Sequence, residues 1–303
     1  LKKKLLIAGG TGFLGYHLAT EAIKRGYLVT SLSTKKPKKY RYLKSVEYLR
    51  CNTLKKKLLK KKIKLNYDVV VNLSGYVNHH EKKKTFSSHY LGCKNLADIF
   101  LNKKIKSFIQ VGSGMENGNI KSPQKEKLKC KPLSNYALAK YKASSYLLNL
   151  FKKKNFPVTV LRLYQAYGPR QDLNRLIPIV IDKSLKNQNI PCTPGLQRRD
   201  FLYIDDLTNV IFKAVDSKKS KGKIFNIGSS KPIRIRDMIL RIVKIIKKGK
   251  PQFGKINLRK EELLNMYPSI NKAKKILNWK PKISLEEGLK LTIKNYKNEF
   301  RHK

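Results

Sequence analysis

Short apolar runs alternate with amphipathic segments along the first half of the chain. Each apolar run is long enough for one buried strand, and the runs occupy residues 5–8, 27–32, 46–49, 69–73, 108–111 and 158–161. Segments with helical periodicity fill the gaps, notably about 84–103 and 134–153. Alternation of this kind is typical of a parallel sheet whose strands are joined by right-handed helical crossovers. The pattern predicts an α/β fold built on a Rossmann-type doubly wound sheet.

A glycine-rich loop follows the first predicted strand. Gly9, Gly12 and Gly15 are spaced three residues apart, and a helical pattern begins at Leu14 and stops at Gly26. Glycines at this spacing let the backbone turn sharply and approach a diphosphate, whose charge faces the N–H groups at the start of the helix. A glycine triplet alone also occurs in ordinary tight turns. Here the order of strand, loop and helix predicts a dinucleotide-binding site.

The end of the second predicted strand bears on the choice of cofactor. A carboxylate at this position hydrogen-bonds the ribose hydroxyls of NAD. This chain has Ser33, Thr34, Lys35 and Lys36 there instead. Hydroxyls and cations suit a 2′-phosphate, so the sequence favours NADP, with NAD as the alternative. The same residues also fit an ordinary solvated lysine run.

A tyrosine and a lysine four residues apart form a second candidate site. Tyr136 and Lys140 lie in a segment predicted to be helical, so their side chains share one face. An ammonium beside a phenol favours the phenolate, which lets the tyrosine exchange a proton with a sugar or alcohol oxygen while a hydride moves at the carbon. Ser113 follows the fifth predicted strand, where its hydroxyl can hydrogen-bond the same oxygen. The alternatives are an ordinary turn serine and a surface tyrosine–lysine pair.

The chain of 303 residues is strongly basic, with 69 lysines and arginines against 19 acids and a formal net charge of +50. The lysines lie on every predicted helix and loop, form no single stripe and carry no interleaved aromatic motif. That distribution is typical of a solvated surface and argues against a specific nucleic-acid partner.

The cysteines indicate a reducing compartment. They are far apart in the sequence and predict neither a disulfide framework nor a zinc site: Cys51, Cys93, Cys130 and Cys192. No apolar run approaches the roughly 20 residues needed to span a bilayer. The first strand begins within a few residues of Leu1, so we expect no signal peptide. These features together predict a cytoplasmic protein.

The histidines do not predict a metal site. His79 and His80 are adjacent, so their side chains diverge in an extended segment, and no third ligand is evident. His17 lies on the first predicted helix, where we expect it to be packed or solvated rather than catalytic.

The ordered motifs make the chain resemble the extended short-chain dehydrogenase/reductase family, in its group of NAD(P)-dependent nucleotide-sugar epimerases and dehydratases. The likeness covers nearly the whole chain. Beyond the residues above, it rests on the segments 162–169, 199–206, 269–273, 277–281 and 287–289. The resemblance implies a Rossmann domain at 1–168, which the chain re-enters near 200–230, and a smaller, mainly substrate-binding lobe at 169–303.

The resemblance also implies roles for individual residues. Tyr136 is the implied acid/base, Lys140 its activating partner and a ribose contact, and Ser113 the hydrogen-bond donor to the substrate oxygen. The implied cofactor contacts are Gly9, Thr11, Gly12, Phe13, Leu14, Gly15, Ser33, Lys35, Asn52, Leu73, Ser74, Gly75 and Tyr164. The implied contacts of a nucleotide-sugar diphosphate are Gln165, Arg199 and Arg259. For Arg199 the alternative is an ion pair with a neighbouring carboxylate.

Two departures from the family pattern bear on function. Sugar 4,6-dehydratases of the family carry Asp-Glu directly after the catalytic hydroxyl residue, and this chain has Gly114 and Met115 there, so dehydration is not expected. His89 stands where the family usually has Asn, a change that either disturbs a helix-supporting hydrogen bond or is tolerated. Asp205 and Asp206 are expected to be structural.

These expectations describe an oxidoreductase that acts on a nucleoside-diphosphate sugar. The leading hypothesis is NADPH-dependent reduction of a 4-keto-6-deoxy sugar nucleotide, because Ser33 lacks a carboxylate and the dehydratase pair is missing. A 4-epimerase that retains NAD is the nearest alternative. A non-catalytic NAD(P)-binding protein with a basic RNA- or partner-binding surface is a more distant one. The resemblance further implies a homodimer formed through the helices near 90–103 and 134–153.

Overall fold

The computed structural model describes residues 2–76, 81–258 and 262–301, with side chains described through residue 298. His79, His80 and Arg259 lie outside the described residues, so the expectations for them stay predictions.

The described chain alternates strands and helices as the pattern predicts. The strands are β1 (Lys4–Ala8), β2 (Leu28–Ser33), β3 (Val46–Arg50), β4 (Val69–Asn72), β5 (Ser107–Ser113), β6 (Val158–Leu163), β7 (Gln165–Tyr167), β8 (Asn189–Cys192), β9 (Arg198–Arg199), β10 (Phe201–Tyr203), β11 (Lys223–Ile227), β12 (Ile233–Arg234), β13 (Lys250–Phe253) and β14 (Asn265–Met266). The α-helices are α1 (Phe13–Lys24), α2 (Lys56–Lys62), α3 (Lys82–Phe86), α4 (Gly92–Phe100), α5 (Asn135–Lys154), α6 (Leu176–Leu185), α7 (Ile204–Asp216), α8 (Ile235–Ile246), α9 (Asn271–Leu277) and α10 (Leu285–Arg301).

One large sheet confirms the predicted fold class. Among the described residues it contains seven strands in the order β11, β6, β5, β4, β1, β2, β3, and every neighbouring pair is parallel. The strand order reverses between β1 and β4, and in such sheets ligands bind outside the carboxyl ends of the strands at that reversal. The chain re-enters the sheet at β11, which pairs with β6. The division into two domains at residue 168 stays a prediction.

The sheet is covered by helices on both faces. In β1, Leu5 lies in the apolar cluster that includes residues of α1 and α7, whereas the next residue, Leu6, lies in the cluster of α4 and α5. Both leucines are fully buried, and each such side chain contributes about 1.5–3 kcal/mol through removal from water. Successive side chains of one strand therefore pack into two different apolar cores, one on each face of the sheet. The helix predicted at about 134–153 is α5.

The segment predicted as one helix at about 84–103 contains a π-helical turn, Ser87–Leu91, between α3 and α4. Within it, the Ser88 hydroxyl donates to the Thr85 carbonyl at 3.1 Å and accepts a hydrogen bond from the Tyr76 N–H at 2.9 Å. These side-chain bonds compete with the backbone bonds of a regular helix. Hydrophobic spacing carries no signal for them, so the predicted helix was continuous.

Smaller sheets and the later helices complete the molecule. β7 pairs with β10, β8 pairs with β13, and β9 lies between β12 and β14. All four cysteines carry free thiols, in agreement with the predicted absence of disulfides. In the part of the chain that the structure describes, no helix has the length and apolar character required to cross a bilayer.

Asp206, in the first turn of α7, anchors the segment that leads into α10. Its carboxylate accepts hydrogen bonds from the backbone N–H groups of Lys282 at 2.9 Å and Ile283 at 3.0 Å. Burial raises the pKa of this carboxyl, and the two backbone bonds oppose that effect. The contacts support the structural role expected of Asp206, whereas the neighbouring Asp205 is exposed.

We predict that Asp206→Ala lowers the free energy of unfolding by about 2–3 kcal/mol, because two backbone N–H groups lose a charged acceptor. Asp205→Ala is the matched control, since the same change at the exposed neighbour leaves those N–H groups bonded, and we expect a clearly smaller loss. Urea unfolding followed by circular dichroism measures both variants. Equal losses would show that Asp206 is not an anchor.

Candidate functional site

The glycine loop joins β1 to α1 at the carboxyl edge of the sheet. Gly9 has a φ of +82°, and a side chain there would lie 2.9 Å from the backbone of Leu73. A Cβ at Gly15 would overlap Gly10. Gly12 differs, because a Cβ there would approach only the Gly9 carbonyl, at 3.4 Å. The loop therefore packs tightly on its inner side and stays accessible on its outer side.

The start of α1 suits an anion. Phe13 is the first helical residue and Gly12 the N-cap, so residues 11–15 surround the N-terminus. Within the described chain no side chain caps this end, and the first turn has no acidic residue. Exposed N–H groups and the positive end of the helix dipole attract negative charge. The accessible glycine and the uncapped helix start fit a dinucleotide diphosphate.

Ser33 ends β2 beside the glycine loop. Its Oγ accepts a hydrogen bond from the Thr11 N–H at 3.2 Å. Lys35, two residues later, is exposed. Arg41, in the short 3₁₀ turn that follows, is only 3% exposed and pairs with Asp172 at 3.2 Å. Ser33 and Lys35 therefore place a hydroxyl and a cation at the end of β2. The carboxylate of Asp172 is already paired with Arg41.

The other predicted cofactor contacts lie on the loops after β3 and β4. Asn52 Oδ1 accepts a hydrogen bond from the N–H two residues later, at 3.0 Å. Ser74 donates both its N–H and its hydroxyl to Asn72 Oδ1, at 3.1 and 2.6 Å. Leu73 and Gly75 flank Ser74, and the Leu73 backbone lies against the glycine loop. These loops meet at the same edge of the sheet, as predicted, while the contacts with a cofactor stay a prediction.

Ser113 is the last residue of β5 and the N-cap of a short 3₁₀ turn, Gly114–Asn117. Its hydroxyl accepts a hydrogen bond from the Met115 N–H at 3.2 Å, and its own N–H donates to Glu116 Oε1 at 2.8 Å. The turn-serine alternative thus describes the local role of Ser113. The Ser113 oxygen accepts this bond through a lone pair, so its O–H can still donate a hydrogen bond to a substrate.

Tyr136 and Lys140 lie in the first two turns of α5, which begins after the N-cap Ser134. Lys140 is 5% exposed and donates from Nζ to the Val111 carbonyl of β5 at 2.8 Å. This bond holds one face of α5 against the end of β5, where Ser113 lies. The structure therefore brings the three predicted catalytic residues to the sheet edge that also carries the glycine loop.

A buried ion pair that sequence reasoning missed supports the Ser113 turn. One oxygen of the fully buried Glu116 accepts from Arg162 Nε at 3.0 Å, and the other accepts from the Ser113 N–H. Arg162 is 2% exposed and also reaches Asn117 Oδ1 at 3.0 Å and Cys130 Sγ at 3.2 Å. The sequence contained one indication of this pair, namely an arginine inside the apolar strand β6, because a buried charge requires a partner of opposite charge.

Tyr164 follows β6 and packs its ring against Gly114, where an added Cβ would lie 2.8 Å from the ring. Its hydroxyl donates to Gln124 Oε1 at 2.8 Å and accepts from Asn117 Nδ2 at 3.0 Å. Burial raises the pKa of this hydroxyl. Because the hydroxyl belongs to a buried network, it is already engaged, and the predicted cofactor contact would have to come from another part of Tyr164.

The predicted diphosphate contacts lie in the second half of the chain. Gln165 is the first residue of β7, which pairs with β10. Arg199, on β9, is 6% exposed and forms an ion pair with Glu262, so the ion-pair alternative describes the structure. Burial lowers the pKa of Arg199, and Glu262 opposes that effect. Burial raises the pKa of the next residue, Asp200, to about 6, while its bonds to Ser229 favour the charged form.

His17 is packed, which agrees with the expectation for it. Its Nε2 lies 2.8 Å from the Pro169 carbonyl, against which a neutral ring can donate. Burial, with the nearby charges of Arg170 and Arg41, lowers its pKa to about 4 despite that bond. Within the described ranges, no group of three or more potential metal ligands occurs.

Comparison with known proteins places this geometry in a family context. Residues 5–228 match the model of the NAD dependent epimerase/dehydratase family. A putative UDP-glucose 4-epimerase of Methanocaldococcus jannaschii is 29% identical over 98% of this chain and 99% of its own length. A dTDP-D-glucose 4,6-dehydratase of Mus musculus is 25% identical over 99% of this chain and 90% of its own. The crystal structure of the Thermotoga maritima UDP-glucose 4-epimerase with UDP-glucose has a TM-score of 0.93 at 24% identity, covering 98% of this chain and 99% of that one.

The buried ion pair yields a stability prediction. Glu116→Gln leaves Arg162 without its counter-charge, and we expect the free energy of unfolding to fall by about 3–5 kcal/mol. Glu81→Gln is the control, because Glu81 pairs with Lys84 at the surface, where we expect no measurable change. Chemical denaturation of both variants gives the comparison. If the two substitutions have the same effect, Glu116 and Arg162 do not form the pair described.

Proposed function

Because the chain belongs to the NAD dependent epimerase/dehydratase family, we propose that it is an oxidoreductase that uses a nicotinamide dinucleotide to act on the sugar of a nucleoside-diphosphate sugar. The main support is the contact between Lys140 Nζ and the Val111 carbonyl at 2.8 Å, which holds the Tyr136 face of α5 beside Ser113. The accessible Gly12 and the uncapped start of α1 lie at the same edge.

The roles of the three residues follow from their chemistry. A nicotinamide supplies or accepts the hydride at a sugar carbon. Tyr136 passes a proton to or from the oxygen on that carbon, and Ser113 donates a hydrogen bond to the same oxygen. Lys140 is the proposed partner of Tyr136 and a ribose contact, and its bond to the Val111 carbonyl fixes its turn of α5 against β5.

Dehydration is disfavoured by the residues that follow Ser113. A Cβ on Gly114 would lie 2.8 Å from the Tyr164 ring, so an aspartate there requires the ring to move out of its buried network. Met115 has no group that transfers a proton. The site therefore supports redox chemistry at the sugar without elimination of water.

Within that activity we favour NADPH-dependent reduction of a 4-keto-6-deoxy sugar nucleotide. Ser33 Oγ is engaged with the Thr11 N–H at 3.2 Å and offers no carboxylate to the ribose hydroxyls. Lys35, two residues later, is exposed, whereas the buried Arg41 is already paired with Asp172 at 3.2 Å. A 2′-phosphate gains more from the exposed lysine than a 2′-hydroxyl does.

A 4-epimerase that retains NAD is the second candidate. The similarity of the whole chain to the Methanocaldococcus jannaschii relative favours it. Ser113, Tyr136 and Lys140 serve both activities, because an epimerase removes the hydride and returns it to the other face of the same carbon. The two candidates differ in whether the cofactor is consumed or stays bound.

Assembly and location are further parts of the proposal. We infer a homodimer formed through α4 and α5, as the family resemblance implies. The Tyr146 hydroxyl of α5 is hydrogen-bonded to Asp98 of α4, so the two helices present one joined face. The four free thiols agree with a reducing, cytoplasmic setting.

We expect Tyr136→Phe to lower turnover by a factor of about 10²–10⁴ while leaving the affinity for the cofactor unchanged, because the ring remains and only the acid/base is lost. Tyr141→Phe, in the same helix, is the matched control and should remain active. NADPH consumption with 4-keto-6-deoxy sugar nucleotides gives the rate, and fluorescence titration gives the dissociation constant. If the Tyr136→Phe enzyme remains active, Tyr136 is not the acid/base.

The cofactor is tested by mass spectrometry of the small molecules released when freshly purified protein is denatured, followed by titration with NADPH and NADH. We expect an empty protein that prefers NADPH. Ser33→Asp should reduce that preference at least about tenfold by charge repulsion, whereas Ser33→Ala, which adds no charge, should not. Stoichiometric trapped NAD would instead favour the epimerase and contradict our interpretation of Ser33.

A further inference from the structure

His89 lies between the cofactor loop and the acid/base. It belongs to the π-helical turn Ser87–Leu91 and is 7% exposed. Its ring meets the Tyr136 ring edge to face, with the ring centroids 4.9 Å apart and the planes at 84°. The imidazole also covers Gly75, where an added Cβ would overlap it. Gly75, at the end of the cofactor loop, and Tyr136, the proposed acid/base, therefore both contact His89.

The π-helical turn also hydrogen-bonds both the N–H and the carbonyl of Tyr76. The Ser88 hydroxyl accepts from the Tyr76 N–H at 2.9 Å, and His89 Nε2 lies 3.1 Å from the Tyr76 carbonyl. A carbonyl only accepts, so Nε2 carries the proton of this bond. The consecutive residues Ser88 and His89 therefore hold one backbone unit directly after Gly75. Such wide turns inside helices occur frequently at functional sites.

We propose that His89 is a positioning residue that fixes the Tyr136 ring with its own ring and fixes the loop of residues 73–76 with its Nε2–H. The proposal rests on the proposed function, in which Tyr136 exchanges a proton and this loop contacts the cofactor. The ring and the N–H make separate contacts. Loss of the ring should therefore disturb the proton transfer, whereas loss of the N–H should disturb cofactor binding.

Two substitutions separate these contacts. His89→Phe keeps an aromatic ring beside Tyr136 and removes the N–H, so we expect a kcat near the wild-type value and a weakened affinity for NADPH. His89→Gln keeps an N–H donor and removes the ring, so we expect an unchanged affinity and a kcat lowered about tenfold or more. Ser88→Ala is the control, because it removes the other bond to Tyr76 without touching Tyr136, and it should behave as His89→Phe does.

The ring contact can be measured without any substrate. In protein with ¹³C-labelled tyrosine rings, the Tyr136 resonance is the one missing from Tyr136→Phe. An adjacent aromatic ring displaces that resonance by its ring current. We expect the displacement to persist in His89→Phe and to be lost in His89→Gln.

The outcomes distinguish this inference from the proposed function. If the wild-type protein turns over no sugar nucleotide, the proposed function fails, while the NADPH titrations and the Tyr136 resonance still decide the role of His89. The inference is overturned if His89→Gln leaves the Tyr136 resonance unchanged. It is also overturned if His89→Phe and His89→Gln alter the same parameter to the same extent.

Discussion

The position of Ser113 depends on the buried ion pair between Glu116 and Arg162. Removing two charges from water costs several kcal/mol per ion, so the pair is not a net source of stability comparable to an apolar core. What it fixes is geometry. One carboxylate oxygen binds the Arg162 guanidinium of β6 and the other binds the Ser113 N–H at the end of β5, so a shift of either strand breaks a buried hydrogen bond. Arg162 extends the same constraint to Asn117 and thus to the Tyr164 network.

The fold was predictable because its signals are local. Apolar runs marked six of the seven strands of the main sheet, whereas the return of the chain at β11 was implied only by the family resemblance. Gly9, Gly12 and Gly15 marked the loop at the edge of the sheet. The contacts that tune the site are not local. Glu116 and Arg162 are 46 residues apart in sequence, and Arg199 and Glu262 are 63 apart. Periodicity describes which side of an element is buried, but it does not tell which distant charge will meet another. The π-helical turn at Ser87–Leu91 was hidden for a related reason, because its cause is hydrogen bonding by Ser88.

The surplus of cations gives some carboxylates two basic partners, as at Asp98 and Asp172. Asp98 pairs with Lys56 at 2.5 Å and Lys94 at 3.8 Å, and although burial opposes it, the bond with Lys56 lowers the pKa of Asp98. The ion pair between Glu262 and Arg199 therefore bears on the proposed substrate site, because it occupies the guanidinium expected to bind the diphosphate. A diphosphate that binds this guanidinium has to displace the carboxylate or share the group with it. Arg199 also donates to the Arg198 carbonyl at 2.8 Å, which holds the guanidinium in place for either partner.

Two departures from the family pattern are matched by contacts elsewhere in the site. His89 replaces the usual Asn, and Gly75 lacks the Cβ that the imidazole would overlap. Ser33 has no carboxylate, and its hydroxyl binds the Thr11 N–H of the glycine loop instead. A protein that only binds a cofactor has no need for a fitted contact against Tyr136, because only the proposed proton transfer requires that ring to be positioned. The pairing of His89 with Tyr136 therefore weighs against the non-catalytic alternative, in the same direction as the buried bond of Lys140 to β5.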